Sequence, residues 1–167
     1  NYKTIYLESR REALLSGPIT DSRIVDTFYP VVLTINGEQY RSVEHYVALA
    51  AVKRDEEQSE MLINAIRKGT PLIAKQVRTN PNNEFFLHSY DERRRWLSLL
   101  QDALFAKFSH EHEDCLGALL RVNKIPDCAS DEDQLCTIKI NGESIWDIAW
   151  NAALKRAHEI GQSILPP

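Results

Sequence analysis

Two short apolar runs in this chain end on the same tetrapeptide, Ile-Asn-Gly-Glu, beginning at Ile35 and at Ile140. Asn-Gly is the strongest short hairpin signal, because both residues accept the positive φ of a tight turn. Val31–Ile35 with Glu38–Tyr40 therefore reads as a hairpin. Cys136 to Ile140 reads as a short strand closed by Asn141-Gly142. Each turn delivers the chain into a helix. Ser42 caps one running to about Lys53, and Ser144 caps a last one running to about Glu159, with Gly161 as its stop. The flanking lengths differ, so turn chemistry recurs here without a duplication.

Between these units the signals are helical. One pattern runs from about Glu57 to Lys68 and stops at Gly69; Thr70-Pro71 opens another, to about Val77. Ser89 and Glu92 form a capping box for the helix expected to be longest, which reaches about Phe108 with Trp96, Leu99, Leu100, Ala103 and Leu104 at helical spacing. A short helix follows from about Glu113 to Arg121, and Asp127 to Gln134 reads as an acidic loop. Residues 4 to 8 have strand-like composition. The expected fold is α+β: a mainly helical single domain over residues 1–167, with a small β-sheet and about six helices.

Composition narrows the function classes. A length of 167 residues suits one core. Hydrophobic residues at 43% and charged ones at 26% are ordinary globular proportions. A net charge of −4 argues against binding nucleic acid through the protein's own charge. No apolar stretch approaches the ~20 residues of a membrane helix. Cys115, Cys128 and Cys136 lack a CxxC spacing, so neither a metal site nor a cofactor is expected. Reduced thiols in an intracellular compartment are expected instead. The chain opens at Asn1 without a Met, which suits a piece of a longer multidomain protein.

Two other constellations have bland explanations. His110-Glu111-His112-Glu113 lies at a helix junction without metal-ligand spacing. Trp146 and Trp150, four apart, form one apolar helix face, for core packing before protein docking.

Several segments carry a family resemblance. Thr27-Phe28-Tyr29-Pro30, followed by Thr34 to Tyr40 and then Arg41-Ser42-Val43-Glu44-His45-Tyr46, resembles the opening signature of the YbiA-like NADAR family. That signature is S-N-F-Y-P, a hairpin, then Y-x-[ST]-x-E-H-Y at a helix start. Thr70-Pro71 with Ala74-Lys75 resembles its T-P-x-x-A-K step. Ala103 to Phe108, with Leu116, Leu119 and Leu120, resembles its A-L-x-A-K-F and L-x-x-L-L run. The resemblance implies a mainly helical α+β fold and an N-glycosidase-like site, for ribose–nitrogen bonds in riboflavin intermediates or ADP-ribosylated guanine. It implies Glu44 as the key carboxylate, because breaking such a bond builds positive charge on the ribose. Phe28, Tyr29, His45, Tyr46 and Lys107 would then bind the ligand. Without the motif, Glu44 simply complements its helix dipole.

The departures from the pattern share a direction. Ala48 and Ala51 stand where the family has Gln and Lys. In its terminal G-K-N-x-L-G, the Lys becomes Glu143, the Asn becomes Ser144 and the last Gly becomes Asp147, and its W-G is lost. Its acidic position falls on Asp131. A pyrophosphate site wants cations and close backbone approach. The expectation is a degenerate module that binds a protein partner or an ADP-ribose-like ligand, with catalysis lost. The alternative is an active N-glycosidase.

Overall fold

A computed structural model describes residues 18–53, 59–80, 86, 92–128 and 133–164. The strand expected at residues 4 to 8 and most of the Ser89–Glu92 capping box lie outside them. Local chemistry explains most of the elements. Thr20 caps α1 (Asp21–Val25), its hydroxyl accepting the Arg23 amide at 3.2 Å. Asn36 and Gly37, at φ 53° and 81°, close β1 (Leu33–Ile35) onto β2 (Glu38–Tyr40) in antiparallel register, Thr34 opposite Gln39. Ser42 then caps α2 (Val43–Ala51). Next come α3 (Ser59–Lys68), α4 (Pro71–Thr79) capped by Thr70, and α5 (Arg93–Lys107). α6 (Glu113–Val122) ends on Asn123 in the left-handed region at φ 48°.

The distal part departs from expectation in three ways. Cys136 sits in a short helix, α7 (Gln134–Thr137), which Asp133 caps through its bond to the Leu135 amide. The second ribbon is correspondingly short, β3 (Lys139–Ile140) against β4 (Glu143–Ser144), and it is a sheet of its own. α8 (Ile145–Ile164) runs through Gly161, and among the described residues it is the longest helix. A Cβ at Gly161 would lie 3.1 Å from Leu120 Cδ1, so glycine here admits α6 closely and does not end the helix.

The result is a mainly helical α+β architecture with two small ribbons. α8 packs on α5, α2 packs on α4 and α5, and α1 packs on α6. One apolar cluster runs from Val25 to Ala157 and includes Trp96, Leu100, Trp146 and Trp150. The two C-terminal tryptophans are buried, their rings 5.6 Å apart, and Trp146 Nε1 donates to Pro126 O at 2.7 Å. No described helix is long and apolar enough to cross a membrane.

Candidate functional site

The α2 cap sets where the motif residues point. Ser42 Oγ accepts the His45 amide at 3.1 Å, which places Glu44, His45 and Tyr46 in successive positions of the first turn. Successive helical residues point about 100° apart, so one pocket cannot receive all three. Glu44 turns toward residues 26–28 and α4, His45 toward the α3–α4 junction, and Tyr46 toward β2 and α5.

Glu44 is 2% exposed, and both its oxygens are engaged. Thr27 Oγ1 donates to Oε2 at 2.5 Å, and Arg78 Nη2 lies 3.2 Å from Oε1. Arg78 also forks onto Asp133, at 2.6 Å from Nη1 and 3.1 Å from Nη2, and its Nη1 reaches Gln134 Oε1 at 2.9 Å. Gln134 Nε2 returns a bond to Arg78 O at 3.0 Å. Of the Arg78 guanidinium nitrogens, Nε alone lacks an acceptor among the described residues. Burial opposes the charge on both Arg78 and Asp133. For Arg78, the charge and hydrogen bonds of Asp133, then Glu44, outweigh that penalty and raise its pKa. For Asp133, Arg78 foremost, then Lys75 and the Leu135 amide, hold the carboxyl below its ordinary value.

Two buried lysines flank this network. Lys75 Nζ lies 5.6 Å from the Phe28 ring centroid. Lys107 donates to Asp26 O at 2.7 Å and Val25 O at 3.3 Å, with Nζ 5.7 Å from the Tyr29 centroid. Burial pulls the Lys107 pKa down to about 8, against the opposing influence of Cys115, Asp26, Asp114 and Glu44. Glu44 and Lys107 thus both reach one stretch of chain, residues 25–29, which itself carries Phe28 and Tyr29.

The other two candidate residues lie elsewhere. His45 is held by Ser42 Oγ at 2.7 Å, Gly69 O at 2.8 Å and Arg41 at 3.2 Å. Its pKa is lowered, first by burial, against the Gly69 bond. Tyr46 reaches Asp102 at 3.4 Å and packs edge-on to Tyr40. Burial, then the Asp102 charge, pushes its pKa up to about 12.

Arg78 and Asp133 carry the network, and the sequence reading names neither. A signal exists for Arg78: it stands three residues after Lys75, which puts two cations on the buried face of α4. Asp131, the acidic match expected from the motif, lies outside the described residues, and Asp133 makes the contact. The thiols also differ from expectation. Cys128 and Cys136 form a disulfide with Cα atoms 6.0 Å apart, while Cys115 is free and buried. Their spacing of eight carries no pairing signature, and the turn into α7 brings them together. No grouping of His, Cys, Asp and Glu suited to a metal occurs among the described residues.

Surface cavities formed by the described residues include one of about 470 Å³ beside α5 and one of about 320 Å³ beside the first hairpin. Glu44 lines neither. No family model, curated protein or solved structure matches the chain.

Proposed function

We propose that this domain is a degenerate NADAR-like binding module, in which Glu44 is a structural anion and glycosidic cleavage has been lost. The observation that carries this reading is the closed state of the carboxylate. A carboxylate that stabilises a ribosyl cation or activates water has to reach substrate or water. Glu44 is buried, with one oxygen on Thr27 and the other on Arg78, which Asp133 and Gln134 hold in turn. The replacements at Ala51, Glu143 and Asp147 run the same way, because they stand where the family pattern has two lysines and a glycine, the cations and close backbone approach a pyrophosphate would need. What the module binds is a protein partner or a retained ADP-ribose-like ligand.

A second reading keeps an active N-glycosidase acting on an ADP-ribosyl or riboflavin-intermediate bond through Glu44. It is favoured by the convergence of Glu44 and Lys107 on residues 25–29, the stretch that carries Phe28 and Tyr29. Calorimetric titration with ADP-ribose, followed by assay for glycosidic product, separates the two. The binding-module reading expects no product above buffer, whether or not ADP-ribose binds. Product formation by the wild type that Glu44→Gln abolishes would establish the enzyme instead.

A further inference from the structure

The cavity of about 320 Å³ between the first hairpin, α2 and the end of α3 has a mixed lining. Val32, Tyr40 and Leu49 supply apolar surface, and Val32 is 53% exposed. Arg41 and Arg67 supply two guanidiniums. Arg41 is fixed from behind. Its Nη2 donates to Gly69 O at 2.6 Å and to Arg67 O, carbonyls at the C-terminal end of α3 that no helical amide satisfies. Its Nε and Nη1 have no partner among the described residues, and neither does the Arg67 guanidinium. The lining holds one carboxylate, Glu38, which already accepts the Tyr40 hydroxyl at 3.0 Å. Two guanidiniums lining one cavity repel each other until an anion joins them.

We propose that this cavity binds a small organic anion with a planar apolar body, of the aryl phosphate class. Arg41 and Arg67 take the phosphoryl oxygens, for which the planar guanidinium fork is suited. Val32, Leu49 and Tyr40 cover the ring. The volume is at the lower end of ligand sites, roughly 300–1,000 Å³, which fits a single-ring compound. The inference goes beyond the Glu44 reading, since Glu44 does not line this cavity and either fate of that carboxylate leaves it intact.

The test is calorimetric titration of the protein with phenyl phosphate at low salt, in wild type, Arg67→Gln and Arg156→Gln. Arg156 lines the larger cavity and serves as the charge-matched control. Expected are saturable 1:1 binding to wild type, a loss of about tenfold or more in Arg67→Gln, and no change in Arg156→Gln. Arg67 is exposed, so its variant is expected to unfold at the wild-type midpoint. Absence of saturation at millimolar phenyl phosphate overturns the proposal. So does equal weakening in both variants, or binding of inorganic phosphate as tight as that of phenyl phosphate.

Discussion

The α5–α8 interface and the layer around Glu44 are both fully buried, yet opposite kinds of physics hold them together. In the first, Trp96, Leu100 and Leu104 on one helix and Trp146, Ala149 and Trp150 on the other exclude water from a continuous apolar cluster. Such packing is non-directional, and it accepts a change of shape if volume is kept. In the second, Glu44, Arg78 and Asp133 are held by charge and hydrogen bonds in a fixed stoichiometry. Removing any one member strands the others in a medium that solvates them poorly. The apolar layer therefore supplies stability that tolerates variation. The charged layer makes the relative placement of α2, α4 and α7 all-or-none.

The sharpest break in that contrast is Arg78→Ala, which leaves two buried carboxylates without their cation. Urea unfolding is expected to show a loss of about 3–5 kcal/mol, or a chain that fails to fold. Acid tests the same layer more gently. Asp133 has a folded pKa below its unfolded value, so its contribution is present above the ordinary carboxyl value of about 3.9 and is lost as pH falls through the lower folded value. That part of the acid slope is expected to vanish in Asp133→Asn. In the apolar layer, Leu100→Met is expected to cost less than about 1.5 kcal/mol in the same urea experiment, although Leu100 is as buried as Arg78. The smallest effect is expected at Asp21 and Arg121, whose exposed ion pair joins α1 to α6. Asp21→Asn should leave the unfolding midpoint where it is, because exposed pairs are screened and solvated.

What could be read from the residues follows the range of the interactions. The two Asn-Gly turns and the caps at Ser42, Thr70 and Ser144 are decided within four residues, and each is found as expected. Gly161 misled for the reason that glycine has two uses: it ends helices, and it also admits a close neighbour, here Leu120. α7 is a single turn with no helical period, so its segment reads as strand. The charged layer was half legible. Glu44 stands out through its motif, but Arg78 meets Asp133 across 55 positions, and no local rule connects an α4 arginine to an acidic loop. The pairing of Cys128 with Cys136 depends likewise on how the chain enters α7.

The central claim is that Glu44 serves the fold and not a reaction, and equilibrium unfolding of Glu44→Gln beside wild type tests it most directly. Carboxylates kept for chemistry tend to be neutral or costly to stability, so replacing one leaves a protein as stable as before or more so. The account predicts the reverse here: Gln has no negative charge to set against the buried Arg78, and stability falls by at least about 2 kcal/mol. A Glu44→Gln variant as stable as wild type, or more stable, would contradict it.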